Sequence, residues 1–498
     1  MLRTGREHLE SLRDGRVVYI GAERVDDVTR HPAFRGAAQT VAALYDMKAD
    51  PALRQEMTYE EEGGRHSIYF LRARTRDDLQ RRMIGHQRIA DFTYGMFGRS
   101  PDHVASFVTG MAMKLDELKA PAGHPENLLN YYRYIRDKDI FAVYAVLPPQ
   151  AARNPEFYQR QNLPVPTLRV VREEDGGVVI SGMKMLATGA VFANEIWIGN
   201  VLPLAPDQKK EAITCSIPCN APGLQLWSRQ PMEMNCTSEF DAPLSYRYDE
   251  SDSMLLCDEV KVPWERVFIH DDAILSREIY FKTPSHCFGN HQSNVRYWSK
   301  MRLLVGLCSR VANVTGADQI PAVKEMLGRI SAQEAMIAGM INGQINALEQ
   351  WPGGSEDYVC FNRRIMYAAL EWCTQNYSKF IDELRELSGA GVFQMPANIS
   401  VMNDKELAKQ FQKFWQTPQC DALTRMKLYK LAWDMVGSEF AGRHQQYEKF
   451  YAGASFIVRN HSFRETDWGA FNKIVDDLMA SYGHDAGSKA KIAAAHSN

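Results

Sequence analysis

Histidine, cysteine and glycine are the residues whose spacing most often betrays chemistry, and in this sequence several such patterns fail on inspection. His286 and His291 stand five apart, a spacing that fits no common metal motif, and no carboxylate partner stands out nearby. His124-Pro125-Glu126 resembles the start of a zinc-deaminase signature, but no Pro-Cys-x-x-Cys follows it. No metal site is therefore expected. Gly389-Ala390-Gly391 lacks a third glycine and follows a helical stretch, so a Rossmann dinucleotide site is unsupported. There is no Walker loop and no G-x-S-x-G elbow. The nine cysteines are scattered without a C-x-x-C pair, Cys215 and Cys219 being the closest. That pattern argues against a disulfide framework and for free thiols in a reducing compartment.

Around these residues the chain changes character twice. Residues 1–138 read as mainly helical, with Val41, Leu44, Tyr45 and Met47 at helical spacing, then Leu79, Met83, Ile84, Ile89 and Phe92. Residues 139–275 read as a β-domain. The apolar run 141–147 stops at Pro148-Pro149, and β-prone segments on either side of Glu173-Glu174-Asp175-Gly176-Gly177 predict a hairpin. Further strands are expected at 196–202, 212–217 and 254–262. Residues 276–483 return to the helical period. Val323, Met326, Leu327, Ile330, Ile337, Met340 and Ile341 form one stripe, and more long helical stretches lie at 358–388 and 404–437, which predicts an antiparallel bundle. The tail, 484–498, is expected to be disordered. This order makes the class α+β and excludes alternating βαβ architecture.

The 498 residues suffice for two or three packed domains. A net charge of -3 gives no electrostatic reason to expect nucleic acid or an anionic membrane as partner. Arg72, Arg74, Arg76, Arg81 and Arg82 are interleaved with acidic residues and read as solvated helix faces. No signal peptide and no apolar run of about 18 residues is visible. A cytoplasmic protein is expected.

Five segments rise above composition. They are Asp14-Gly15-Arg16 with Val25-Asp26-Asp27-Val28 and His31-Pro32-Ala33-Phe34-Arg35; Gly98-Arg99-Ser100-Pro101-Asp102; Ala187-Thr188-Gly189-Ala190; Val262-Pro263-Trp264-Glu265-Arg266-Val267; and Gly437-Ser438-Glu439-Phe440-Ala441-Gly442-Arg443-His444 followed by Tyr447-Glu448. In this order, over about residues 3–455, the chain resembles the oxygenase component of 4-hydroxyphenylacetate 3-monooxygenase and its chlorophenol and nitrophenol relatives. The resemblance implies an acyl-CoA-dehydrogenase-like fold, with an N-terminal helical domain, a central β-barrel and a C-terminal four-helix bundle, typically in a homotetramer. It implies FAD as cofactor, supplied as FADH2 by a separate NAD(P)H-flavin reductase through diffusive transfer. It also implies hydroxylation of a phenol ortho to its hydroxyl with O2, via a flavin C4a-hydroperoxide.

Residue by residue, the resemblance makes Arg99 the arginine that contacts the substrate hydroxyl. Where the hydroxyphenylacetate enzymes carry a tyrosine and a histidine, this chain carries His103 and Tyr144, as though transposed. An imidazole with an ordinary pKa near 6.5 suits proton removal at neutral pH, so His103 is a candidate base, with Tyr144 and His291 as the other candidates. His291 is expected just ahead of the bundle helix. Thr188 matches the threonine whose hydroxyl reaches flavin N5. Tyr144, Ala145, Val146, Leu147 and Gln150 are expected to border the flavin. Gly437, Ser438, Phe440, Gly442 and Arg443 match the segment that meets it across a subunit interface, with Arg443 and Arg296 near the pyrophosphate. The loop at Pro203, Leu204 and Ala205 is a candidate substrate wall.

Rival readings remain on the same scaffold. Oxidative dehalogenation or denitration of a substituted phenol is one, and a non-catalytic flavin-binding scaffold is another. A 4-hydroxybutyryl-CoA dehydratase would need paired cysteines where Ser100 and His103 stand, and no acyl-CoA dehydrogenase signature is found.

Overall fold

The computed structural model describes residues 2–119, 122–351 and 358–482. In the N-terminal region the helix Arg76–Phe92 starts at a reciprocal cap, in which the Thr75 hydroxyl accepts from the Asp78 N–H and the Asp78 carboxylate accepts from the Thr75 N–H. The next helix, Asp102–Ala112, has every residue but Phe107 buried. It lies inside the molecule against the helix Ser285–Val314 of the C-terminal region.

In chain order the strands are β1 (Val18–Ile20), β2 (Glu23–Val25), β3 (Thr58–Glu61), β4 (Gly64–Ser67), β5 (Ala142–Ala145), β6 (Arg169–Glu174), β7 (Gly177–Lys184), β8 (Glu195–Ile198), β9 (Thr214–Pro218), β10 (Leu224–Ser228), β11 (Ser253–Pro263) and β12 (Val267–Ile269). They form a six-stranded sheet, β2-β1-β10-β11-β7-β6, and a four-stranded sheet, β12-β9-β8-β5, with β3 and β4 as a separate hairpin. The hairpin expected around 173–177 is β6–β7, turning at Asp175-Gly176. Ile180, Leu226 and Leu255 of the larger sheet share one apolar core with Val143, Ile196, Ile198 and Cys215 of the smaller. Several features depart from the sequence reading, among them the β3–β4 hairpin and β12. β1 and β2, from the first 25 residues, join the larger sheet because β1 runs parallel to β10, some 200 residues away. β10 itself was not expected.

Alternation along β5 matters for the site. Val143 and Ala145 face the shared core, while Ala142, Tyr144 and Val146 face the other way, toward the N-terminal helices.

The C-terminal region packs the helices Ser285–Val314, Pro321–Asn346, Arg363–Ser388 and Ala422–Val436 together. Pro321 opens the second at its first turn, and Ile330, Ile337, Ile341 and Ile345 are its buried stripe. The stretch 404–437 is two helices, Lys405–Trp415 and Ala422–Val436, with Pro418 in the break. The 484–498 tail lies outside the described residues. No described helix is long and apolar enough to cross a membrane.

Candidate active site

Arg99 sits on the short loop that feeds the buried helix Asp102–Ala112. The loop's backbone is held by a carboxylate: the N–H groups of Gly98 and Arg99 both donate to Glu250, at 3.0–3.2 Å. The side chain then turns inward. Its Nη1 donates to His103 Nε2 at 2.8 Å and its Nη2 to the Tyr451 carbonyl at 3.2 Å. The guanidinium lies 4.1 Å from the Tyr451 ring centre and 4.9 Å from that of Tyr144. His103 stacks on Tyr144 with ring centres 5.1 Å apart, and Phe107 closes one side at 5.1 Å from His103. The structure therefore brings Arg99, His103 and Tyr144 together. Arg99, Tyr144 and Phe107 are each only half-buried. Among the described residues no carboxylate pairs with the Arg99 guanidinium, which leaves a cation in an aromatic cage with N–H donors to spare.

This geometry fixes the state of His103. A guanidinium only donates, so Nε2 is the acceptor and the ring proton sits on Nδ1, which is buried without a partner. Burial, and then the positive charges of Arg99 and Arg296, hold the imidazole well below its ordinary 6.5. The expected ordinary titration near neutrality is thus corrected: His103 is a neutral N–H donor here, and its basic nitrogen is already engaged.

A second group of residues lies beside this one. Ala187 and Gly189 are strapped to the segment before β11, with Ala187 N–H donating to the Ser253 carbonyl at 2.8 Å and Gly189 N–H to that of Ser251 at 3.1 Å. Gly189 has φ +77°, and a Cβ there would come 3.5 Å from the Arg99 carbonyl oxygen, so this turn abuts the Arg99 loop. Thr188 donates its hydroxyl proton to Asp252 at 2.6 Å. Asp252 also takes a two-pronged contact from Arg443, at 2.8 and 3.0 Å, and one from Arg229 at 2.8 Å. Burial opposes the charge on Asp252, but Arg443 and Arg229 override it and hold the carboxyl well below the usual range.

Other expected positions fall differently. Arg443 is spent on Asp252 and, at 3.0 Å, on Glu250. Arg296 is 2% exposed and makes two 2.7 Å bonds to Glu448, which Lys300 also meets. Both guanidiniums are thus paired with carboxylates within the folded chain. His291 lies within the Ser285–Val314 helix rather than ahead of it, 0% exposed. Its Nδ1 donates to Gln344 at 2.7 Å and its ring lies flat on Phe361, 3.5 Å between centres. No contact among the described residues joins it to Arg99, His103 or Tyr144.

Ala145 and Val146 are buried at the end of β5, Leu147 bridges to Met185, and Gln150 is exposed. Ser438 caps the helix Glu439–Phe450, and Phe440 packs on His444. A Cβ at Gly437 would strike Trp433, whereas one at Gly442 would meet nothing within 4 Å. A cavity of about 500 Å³ lined by Arg30, Arg35, Phe92, Tyr246 and Arg247 opens elsewhere and includes none of these residues.

Sequence reasoning missed Glu250, Asp252 and Tyr451. The run Asp249-Glu250-Ser251-Asp252 looks like a solvated turn, yet Asp249, Glu250 and Ser251 are each 1% exposed. Its one legible signal is acidic density directly before a strand with apolar alternation.

The sequence matches the family described as 4-hydroxyphenylacetate 3-hydroxylase, its N-terminal part over residues 4–269 and its C-terminal part over 276–480. The chain belongs to this family. Among 4-hydroxyphenylacetate 3-hydroxylase relatives, the 4-hydroxyphenylacetate 3-monooxygenase oxygenase component of Thermus thermophilus is 34% identical over 91% of this chain and 92% of its own. The pyoverdin chromophore biosynthetic protein PvcC of Pseudomonas aeruginosa is 32% identical, over 92% and 90%. A crystal structure of an oxygenase component of 4-hydroxyphenylacetate 3-monooxygenase, complexed with FAD and 4-hydroxyphenylacetate, superposes with a TM-score of 0.89 at 30% identity, covering 96% of this chain and 98% of that one. The fold is acyl-CoA-dehydrogenase-like, as in those family structures.

Proposed function

We propose that this chain is the oxygenase component of a two-component flavin monooxygenase that hydroxylates a phenol ortho to its hydroxyl. The carrying observation is Arg99: a caged guanidinium with no carboxylate on it, beside the unpartnered Nδ1–H of His103. Two such donors suit an oxyanion, and a phenol becomes nucleophilic at its ortho carbon when it gives up its proton. Arg99 supplies the charge that favours the phenolate, and His103 donates the second hydrogen bond rather than acting as base. Tyr144 and Phe107 wall the ring. The family resemblance and the FAD-bound relative support FAD as cofactor, received in its reduced form from a separate NAD(P)H-dependent reductase by diffusion.

The residues present fit that group. Thr188 offers a hydroxyl oxygen whose own proton is committed elsewhere, next to the Arg99 loop, and it would meet the N5 edge of the flavin ring. The open face at Gly442 admits a close approach from outside the chain. When bound, reduced FAD activates O2 and delivers one oxygen atom to the substrate ring. The chain's own residues hold the phenol oxygen and keep the site dry.

We also propose a homotetramer. The helix Trp468–Ala480 buries none of its residues, and it exposes Phe471, Ile474, Val475 and Leu478, an apolar face that a second copy would cover. The nine unpaired cysteines suit the cytoplasm. The test is direct: supply FADH2 aerobically with a panel of phenols. Catechol formation is the expected result. Stoichiometric peroxide without catechol would refute the reading, and loss of a halide or nitro group would redirect it.

A further inference from the structure

The hydroxyl of Thr188 carries one proton, and in this fold that proton has a fixed destination. Asp252 is the acceptor, at 2.6 Å. An ionised carboxylate accepts and cannot donate. Asp252 is kept ionised by the Arg443 and Arg229 contacts described above. The Thr188 oxygen is therefore left with lone pairs only, directed away from Asp252. A threonine in isolation could rotate to donate or to accept. This one cannot.

We infer that Asp252 is a positioning residue that makes Thr188 a one-way hydrogen-bond acceptor and so selects the reduced form of the flavin over the oxidised form. The inference rests on the proposed placement of Thr188 at the flavin N5 edge. Reduced flavin carries an N–H at that position and can donate to Thr188. Oxidised flavin presents only a lone pair there, and two acceptors facing each other repel. An enzyme that must take FADH2 from solution and let go of FAD gains from that polarity. No proton moves in the selection. The discrimination is between ligands that do or do not offer a donor, and a buried acceptor left facing an acceptor is penalised more than a mere lost bond.

Substituting Asp252 by asparagine reverses the polarity for a structural reason. Oδ2 of Asp252 accepts from Arg229 Nε and Arg443 Nε, whereas Oδ1 faces Thr188 and Arg443 Nη2. Asparagine keeps its single oxygen on the two Nε–H donors, gives up the acceptor for Arg443 Nη2, and turns its amide N–H toward Thr188. The threonine must then donate outward, which suits oxidised FAD.

The experiment measures dissociation constants of FAD and of chemically reduced FAD, anaerobically, for the full-length wild type, Asp252→Asn, Thr188→Val and the double variant. The wild type is expected to bind the reduced form more tightly. Asp252→Asn is expected to cut that preference about tenfold, the worth of one hydrogen bond switched from favourable to unfavourable. Thr188→Val should cut it similarly, and Asp252→Asn should change nothing further in the Thr188→Val background. An undiminished preference in Asp252→Asn, in a wild type that binds reduced flavin and hydroxylates phenols, overturns this inference and leaves the proposed function standing. A wild type that binds neither form overturns both. Should Asp252→Asn fail to fold, Thr188→Val decides the matter, because it leaves the Arg443–Asp252–Arg229 cluster intact. An undiminished preference there is equally fatal.

Discussion

Replacing Arg99 by alanine removes the guanidinium held against His103 and Tyr144, and the cost can be worked from its contacts. Toward the substrate, the loss is a charge-assisted hydrogen bond to a phenolate oxygen, worth about 1.5–3 kcal/mol. Within the protein, His103 Nε2 loses the donor that held it at 2.8 Å, and an unsatisfied buried acceptor costs about 1–3 kcal/mol, part of which appears as a misplaced imidazole. Together about 3 kcal/mol of transition-state stabilisation disappears, a fall in kcat/KM of about a hundredfold at pH 7. The deficit should depend on pH. In the wild type the Arg99 charge lowers the phenol's pKa so that its proton passes to solvent at neutral pH, whereas in the variant the phenol keeps its unperturbed ionisation near pH 10. The gap is therefore expected to narrow steadily from pH 7 to pH 9. The assay is catechol production from a series of phenols with reduced FAD in excess, with thermal melts to show that the fold persists. Loss of less than threefold, or a deficit that stays constant with pH, would refute the assignment of Arg99 to the phenolate.

Three further outcomes are expected. Gly98→Ala drives a Cβ to within 1.9 Å of the Tyr447 hydroxyl, so Tyr447 must move off the Arg99 and Arg443 guanidiniums, and activity should drop at least tenfold while reduced-flavin binding changes less; unaltered turnover would show that this packing is dispensable. Glu448→Gln leaves Arg296 and Lys300 buried without their counter-charge, which should cost about 3–5 kcal/mol in denaturant titrations at pH 7. Burial opposes charge on Glu448, yet Arg296 and Lys300 depress its pKa from 4.5 to about 2, so its contribution is present above pH 4.5 and is lost as pH falls through about 2. The wild type and the variant should therefore converge in stability over that acid window. Because burial and the Arg99 charge keep His103 neutral, the kcat/KM profile should show no ionisation near pH 6.5 that vanishes in His103→Asn; finding one would restore His103 as base.

The order of helical, β and helical regions was legible because hydrophobic period is a local signal. The pairing of β1 with β10 was not, since nothing in either segment announces a partner some 200 residues away. At the site, Arg99 and His103 were recoverable from motif position, and their four-residue spacing along the loop and first helical turn is what lets them meet. Tyr144 follows from alternation along β5, which turns it away from the core that takes Val143 and Ala145. Sequence shows that Arg296 and Arg443 are cations but not which carboxylates they meet, and Glu448, Glu250 and Asp252 are brought to them by packing. His291 was placed near the chemistry by a gapped likeness, and the helix that carries it presents it instead to Gln344 and Phe361.

The central claim is that this chain directs one atom of O2 from reduced FAD onto a phenolate held by Arg99. A single-turnover reaction tests it most directly: protein loaded anaerobically with FADH2 and a phenol, mixed with ¹⁸O2, and the product weighed by mass spectrometry. The account predicts a catechol carrying one ¹⁸O for each flavin oxidised in the wild type, with Arg99→Ala diverting that yield to hydrogen peroxide at pH 7. Flavin oxidation that returns only peroxide in the wild type, or a catechol whose new oxygen comes from water, would contradict it.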